Sequence, residues 1–246
     1  GGMVVPPHPH TGLQTVSWLF EGEVEHRDST GSHQMVNPGE VNLMTAGQGI
    51  QHLEISTPRT TSLHGVQLWV ALPDAHRHTL PFFEHHVAPR ASLGAASVTV
   101  FVGEMLDVTS PTTTFSPIVG AEILIPAGET ITLPVRTDFE FGVLVDAGNV
   151  RVNGEEVLPA HLAYEPAGPD SLTIEVGEQP ARLILIGGVP FGEQLVMWWN
   201  FIGRDHDEIA EFRARWQSEV IAGSNLEGDF GYVPYEGGAL PAPEMP

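Results

Sequence analysis

The sequence contains no cysteine and no lysine, and both absences exclude classes of function. Without cysteine there can be no disulfide, no thiolate ligand and no soft-metal site that requires sulfur. All ten basic residues are arginines, set against 31 acidic residues, which gives a formal net charge of −21. A surface with this excess of negative charge repels phosphate backbones and anionic lipids. We therefore expect no direct binding to nucleic acid or to membranes.

Long apolar runs are also missing from the chain. No run approaches the roughly 18 residues that a transmembrane helix needs, and no signal peptide is visible, so we expect a cytoplasmic protein. The 246 residues suffice for two domains of ordinary size, each with its own core. With 27 glycines, 21 prolines and 41% apolar residues, the composition favours many short strands and turns, and therefore an all-β fold.

Two pairs of candidate metal ligands lie at the two ends of residues 8–54. His8 and His10 form the first pair, and His52 and Glu54 form the second. Both pairs are spaced i, i+2, so within a strand both side chains of a pair leave the same face. The residues between them read as an antiparallel meander, and a small barrel would bring its first and last strands together. Three imidazoles and one carboxylate suit a divalent first-row metal, and in an octahedral ion they leave two positions open.

The same histidines allow a simpler interpretation. A single histidine among β-forming residues is more often a hydrogen-bonded core or surface residue than a ligand, so one pair alone is a weak signal. Two pairs of equal spacing at both ends of one meander favour the metal site. His26 and His33 lie in the hairpin between the pairs, and we expect both to be exposed to solvent.

Several motifs in this region carry a family resemblance. They are the HPH element, the EGEVEHRDS hairpin, the PGEV corner and the TAGQGIQHLE segment. Together they resemble the N-terminal cupin domain of the pirin family, and the resemblance continues over nearly the whole chain. It implies an iron ion held by His8, His10, His52 and Glu54, with Mn, Ni, Cu or Zn as other divalent candidates. Many similar proteins carry glutamate at the position of Gln14, and glutamine cannot act as a carboxylate base, which leaves Gln14 at most a hydrogen-bonding role beside the metal.

The second half of the chain repeats the strand and turn pattern of the first, which predicts two tandem cupin domains, each an antiparallel β-barrel or jelly roll. In this alignment His8 and His10 fall near Pro134 and Arg136, so we expect the second domain to hold no metal. His52 and Glu54 fall on Thr173 and Glu175. The predicted segments are a metal-binding domain, a metal-free domain, a C-terminal α-helix and an extended tail, at residues 1–117, 118–203, 204–221 and 222–246.

Two further expectations concern the ends of this arrangement. Similar proteins carry a segment before the HPH element, so the first domain is expected to lack strands that precede residue 1. Near the other end, Asp205 followed by Glu208 is typical of a capped helix start. The apolar residues Ile209, Phe212 and Trp216 then form one stripe, which predicts a helix packed on a barrel.

The resemblance also implies a function. It predicts a dioxygenase of the quercetin 2,3-dioxygenase type, in which the metal binds a flavonol and O2 cleaves the ring with release of carbon monoxide. A non-enzymatic alternative is an iron- or redox-dependent regulator that acts through a protein partner, and a third is an ion that only stabilises the barrel. An enzyme requires a substrate-sized pocket open to the metal, whereas a regulator does not.

Overall fold

A computed structural model describes residues 2–245, and this part of the chain is β-structure with one α-helix, which confirms the all-β expectation. The strands before residue 90 are β1 (Val4–His10), β2 (Leu13–Glu21), β3 (Val24–Asp28), β4 (His33–Val36), β5 (Glu40–Thr45), β6 (Ile50–Ser56), β7 (His64–Ala71) and β8 (Phe82–Val87). The middle of the chain contributes β9 (Arg90–Leu93), β10 (Ala96–Val102), β11 (Glu104–Met105), β12 (Val108–Thr109), β13 (Ile118–Ile125), β14 (Thr130–Pro134), β15 (Glu140–Ala147), β16 (Val150–Val152), β17 (Glu155–Val157), β18 (Leu162–Glu165), β19 (Ser171–Val176) and β20 (Ala181–Gly188). The chain ends with β21 (Val196–Trp198), β22 (Phe201–Gly203), α1 (His206–Trp216) and one π-helical turn, Gln217–Ile221.

The chain forms two compact units, whose limits differ from the predicted segments. The first unit joins the residues up to 86 with those from 193 onward, and the second comprises residues 87–192. Strand β10 pairs with β13 over most of its length, so it belongs to the second unit although it precedes the predicted boundary at residue 117. Thr11 forms a backbone bridge with Phe201, which ties the C-terminal part to the first unit. The limits of the two units are set by backbone pairing between residues distant in sequence, which composition does not reveal.

The first unit contains two four-stranded antiparallel sheets. Their strand orders are β1-β6-β3-β4 and β7-β2-β5-β8. Leu19 on β2 packs with Val24 and Val36 of the other sheet, so the two sheets face each other across a shared core. In the first sheet, strands β1 and β6 are neighbours, as the meander predicts, and His8 lies directly opposite His52.

The second unit contains a six-stranded sheet, β18-β15-β20-β13-β10-β9, and a four-stranded sheet, β14-β19-β16-β17. Its core is built from aliphatic and aromatic side chains, including Leu133, Leu172 and Ile174. The positions aligned with the first-half ligands alternate with these residues and point away from the core. Pro134, Arg136 and Glu175 are exposed and Thr173 is half-buried.

Helix α1 confirms the predicted helix. The Asp205 side chain accepts a hydrogen bond from the backbone N–H of Glu208 at 2.9 Å, which satisfies a donor that the first turn leaves open. The predicted stripe of Ile209, Phe212 and Trp216 is buried and packs with Phe201 and Phe230, so it is core. None of the helices in residues 2–245 is long and apolar enough to span a membrane.

The residues after the helix, which we expected to form an extended tail, run through turns and bends outside any strand, and several of them are packed. Phe230, Val233 and Ala242 are buried, and the indole Nε1–H of Trp216 donates to the carbonyl of Leu240 at 2.9 Å. The backbone N–H of Leu240 in turn donates to the carbonyl of Pro7 at 2.8 Å, directly beside His8. The tail therefore holds the strand that carries the first candidate pair.

Trp216→Ala should lower the free energy of unfolding by about 3–5 kcal/mol, because it leaves a cavity and removes the anchor of the tail. Met197→Ala is the matched control, since Met197 is exposed and its loss should cost less than about 0.5 kcal/mol. Urea unfolding followed by fluorescence and circular dichroism measures both. Equal midpoints for the two variants would contradict the packed tail.

Candidate metal centre

Three of the four predicted ligands come together between the two sheets of the first unit. His8 and His10 leave the same face of β1, and β6 presents His52 directly opposite His8. Their candidate donor atoms all lie within 4.8 Å of one another, and Nε2 of His10 is 3.1 Å from Nε2 of His52. All three side chains are buried. The spacing argument from the sequence thus leads to one compact cluster of imidazoles.

Backbone carbonyls orient two of these rings. Nδ1 of His8 lies 2.9 Å from the carbonyl of Pro6, and Nδ1 of His10 lies 3.2 Å from the carbonyl of Asn200. A carbonyl oxygen only accepts, so in both rings Nδ1 carries the proton and donates. The Nε2 atoms of His8 and His10 therefore present lone pairs.

The surroundings keep the imidazoles neutral. Burial lowers the pKa of His8, and it holds the pKa values of His10 and His52 well below their usual value. The charge that His8 carries when protonated lowers the pKa values of His10 and His52 further. Neutral imidazoles crowded together with lone pairs available are the donors that a divalent transition metal takes, so the residues present fit such an ion.

Glu54 belongs to a second, overlapping set of donors. Its carboxylate lies with His26 and His52 in a group whose donor atoms are also within 4.8 Å of one another. The side-chain amide of Gln67 donates to Oε1 of Glu54 at 2.8 Å and to Oγ of Ser17 at 3.2 Å. Glu54 is therefore close to the cluster through His52, and Gln67 orients its carboxylate.

His26 lies in this cluster, and the prediction that it is exposed to solvent was wrong. It is buried, with its ring stacked on Phe83 at a centroid distance of 4.5 Å. Its Nε2 lies 3.0 Å from Oδ2 of Asp28, and its Nδ1 lies 3.4 Å from Nδ1 of His52. His33, in contrast, is exposed as predicted.

The local sequence carries only a weak signal for His26, because Val24 is the one apolar residue of β3 and the alternation shows in the burial instead. Val24, His26 and Asp28 are all buried, and they alternate along β3 with the half-buried Glu25 and Arg27. This alternation of period two marks the inner face of a strand, and it places His26 on the side that faces Glu54. Read alone, a histidine between charged residues in a hairpin resembles a surface residue.

Gln14 is not brought to the cluster. It is fully buried, and its side-chain amide donates to Oγ1 of Thr45 at 2.9 Å. Along β2 it alternates with Ser17, which faces Glu54 through Gln67, so Gln14 points to the opposite face of the sheet. The structure thus gives no support to a hydrogen bond between Gln14 and a metal or substrate.

A cavity of about 280 Å³ opens beside Glu54 in the first unit. Its wall is mainly apolar, with polar groups confined to Ser17, Glu54 and Gln67; the apolar side chains are those of Met3, Leu19, Val24, Val36, Leu63 and Val66. The ring of Trp69 lies nearly perpendicular to that of His10, at a centroid distance of 5.2 Å. The buried imidazole cluster therefore adjoins a mainly apolar cavity through Glu54.

Comparisons with family models, with known proteins and with solved structures all find proteins that are named pirin or quercetin 2,3-dioxygenase. A family model described as "Pirin" matches residues 2–70, and one described as "Pirin C-terminal cupin domain" matches residues 120–221. A Pseudomonas aeruginosa protein named "Putative quercetin 2,3-dioxygenase" is 40% identical over 247 residues, covering 100% of this chain and 76% of that protein. A Caulobacter vibrioides protein named "Pirin-like protein" is 35% identical over 235 residues, covering 92% and 80%. The crystal structure of a quercetin 2,3-dioxygenase from Acinetobacter baumannii superposes with a TM-score of 0.91 at 39% identity, covering 99% of this chain and 80% of that one.

Gln67→Met should lower the free energy of unfolding by about 1.5–3 kcal/mol, because it keeps the side-chain volume and leaves the buried Glu54 carboxylate without its amide donor. Gln48→Met is the matched control: Gln48 also donates to a carboxylate, that of Asp229 at 3.1 Å, but in a solvent-exposed contact. Its loss should cost less than about 1 kcal/mol. Chemical unfolding compares the two, and an equal cost would contradict the orienting role of Gln67.

Proposed function

The chain belongs to the pirin family, and from this premise we propose that it is an iron-dependent dioxygenase of the quercetin 2,3-dioxygenase type. The observation that carries the proposal is the cluster of three buried, neutral imidazoles beside an apolar cavity. The proteins named for this activity that resemble the chain over its whole length support the choice of reaction. The substrates would be a flavonol and O2.

His8, His10, His52 and Glu54 would hold the metal. Bound there, iron would supply the Lewis acidity and the one-electron chemistry that a reaction between O2 and an electron-rich ring requires. Mn, Ni, Cu and Zn are divalent ions that the same donors accept, so iron as the native ion is part of the proposal. The cytoplasmic location also stays a prediction.

The cavity wall suits a flat aromatic substrate. Its aliphatic side chains would contact the rings, and the Glu54 and Gln67 side chains would face the substrate's oxygen atoms. At about 280 Å³ the cavity is close to the lower limit for small-molecule sites, about 300 Å³, so part of the substrate would extend through the mouth.

Glu54 would also accept the proton of a flavonol hydroxyl. Among the described residues that line this cavity it is the one ionisable group, and its carboxylate can take up a proton from the hydroxyl group while it is charged. Many similar proteins carry a glutamate at the position of Gln14. In this chain the residue has no carboxylate and lies on the other face of β2, so it cannot serve as the base. A base outside the metal ligands is therefore not required by the proposal.

Wild-type protein loaded anaerobically with Fe2+ should bind about one iron per chain and consume O2 when quercetin is added, whereas His52→Ala should do neither. The loss follows because His52 is the imidazole shared by both donor sets. Metal analysis and an oxygen electrode provide the two measurements. His33→Ala, which removes an exposed histidine of the same unit, is the control and should behave as wild type.

The outcomes separate the two candidate functions. Iron bound without O2 consumption by any flavonol would overturn the dioxygenase and favour the regulator that acts through a protein partner. Absence of bound iron or other divalent metal in the wild type would contradict the ligand assignment itself.

Leu63→Trp should raise the KM for quercetin by about tenfold or more while the iron content stays unchanged, because the larger side chain fills the mouth of the cavity beside Glu54. Leu80→Trp is the control, since Leu80 is exposed outside the cavity wall and the substitution should leave KM unchanged. Steady-state oxygen uptake measures both. An unchanged KM in Leu63→Trp would place the substrate elsewhere.

A further inference from the structure

We infer that Asp28 and His26 are positioning residues of this centre, which fix the proton of His52 on Nδ1 and so direct its Nε2 lone pair toward His8 and His10. The inference rests on the metal centre of the proposed function and is independent of flavonol turnover. It concerns residues that touch neither substrate nor metal, and that act through His52.

The chain of hydrogen bonds starts at a buried carboxylate. Oδ1 of Asp28 accepts from the backbone N–H groups of Thr30 at 2.9 Å and Ser32 at 3.2 Å, and from the Thr30 hydroxyl at 2.6 Å. Oδ2 of Asp28 remains for His26, so donors meet both oxygens of this carboxylate. Because donors occupy its oxygens, the carboxylate acts as an acceptor.

The carboxylate decides which nitrogen of His26 carries the proton. Oδ2 of Asp28 lies 3.0 Å from Nε2 of His26, so Nε2 is the donor. In a neutral imidazole the other nitrogen is then an acceptor, and Nδ1 of His26 faces Nδ1 of His52 at 3.4 Å. Stacking on Phe83, with 21° between the rings, holds His26 in this orientation.

His52 must then donate from Nδ1, which leaves the lone pair on Nε2. That atom lies 3.1 Å from Nε2 of His10, which also presents a lone pair because its Nδ1–H donates to the carbonyl of Asn200. Two lone pairs cannot hydrogen-bond to each other, so the two Nε2 atoms repel each other when no ion is present. A cation between them attracts both lone pairs and removes this repulsion.

The three imidazoles differ in how their protons are placed. Main-chain carbonyls accept the Nδ1 protons of His8 and His10, and these carbonyls remain when a side chain is replaced. His52 depends on the side chains of His26 and Asp28. A substitution at Asp28 can therefore change the tautomer of His52 and leave the tautomers of His8 and His10 unaltered.

Asp28→Asn tests this with almost no change of shape. The backbone N–H groups of Thr30 and Ser32 require an acceptor, so the asparagine oxygen stays with them and its NH2 group turns toward Nε2 of His26. His26 then carries its proton on Nδ1, and His52 carries its proton on Nε2. Long-range 1H–15N correlation spectra of metal-free protein labelled with 15N-histidine report these protons directly.

We expect the His52 proton on Nδ1 in wild type and on Nε2 in Asp28→Asn. Titration with Mn2+ should show an affinity about 10–100-fold weaker in the variant, the usual cost of losing a partner that orients a ligand. Thr30→Val is the control: it deletes one hydrogen bond to Asp28 but keeps the carboxylate, so the tautomers and the affinity should stay near wild type.

A His52 proton on Nε2 in the wild type, the same tautomers in wild type and Asp28→Asn, or equal Mn2+ affinities would overturn the inference. If wild type binds no divalent metal, the proposed centre fails, and the spectra still decide where the proton lies. If metal binds and no flavonol is turned over, only the proposed reaction fails.

Replacement of His26 offers a rescue experiment. In His26→Asn the side-chain oxygen can lie near the former Nδ1 and accept from Nδ1–H of His52, whereas His26→Leu offers no acceptor. We expect Mn2+ affinity to fall in the order wild type, His26→Asn, His26→Leu, in variants shown to be folded by circular dichroism. Equal affinities in the two variants would indicate that His26 only fills space.

Discussion

The antiparallel pairing of β1 with β6 is the contact on which the candidate site depends. It sets His8 opposite His52, and the two-residue repeat of a strand then places His10 and Glu54 on the same face. A shift of this register by one residue would turn every one of these side chains to the other face. The candidate site therefore depends first on strand register and only then on the individual side chains.

The surrounding structure holds this register from several directions. Strand β3 pairs with β6 on its other side and brings His26 and Asp28 to the cluster. The C-terminal part contributes two main-chain contacts to β1, from Asn200 to the ring of His10 and from Leu240 to Pro7. Segments far apart in sequence therefore meet at one short strand.

The sequence predicted much of this arrangement because strand periodicity is local. The i, i+2 spacing of the candidate ligand pairs, the helix start at Asp205 and the stripe of Ile209, Phe212 and Trp216 depend on neighbouring residues. The structure confirms the helix and its buried stripe. It brings His8, His10 and His52 into one cluster and Glu54 into a second donor set. The role of His26 and the face of Gln14 depend on pairing partners distant in sequence, so they were missed. The limits of the two compact units were missed for the same reason, since β10 and β13 pair across the predicted boundary.

In the second unit the same strand pattern encloses a core of aliphatic and aromatic side chains. What distinguishes the first unit is the placement of lone pairs, fixed by two carbonyls and by the path from Asp28 through His26 to His52. X-ray absorption at the iron K-edge of anaerobically loaded protein tests the proposed ligand set most directly. The account predicts scattering from three imidazoles and one carboxylate, and a spectrum with only oxygen ligands or a single imidazole would contradict it.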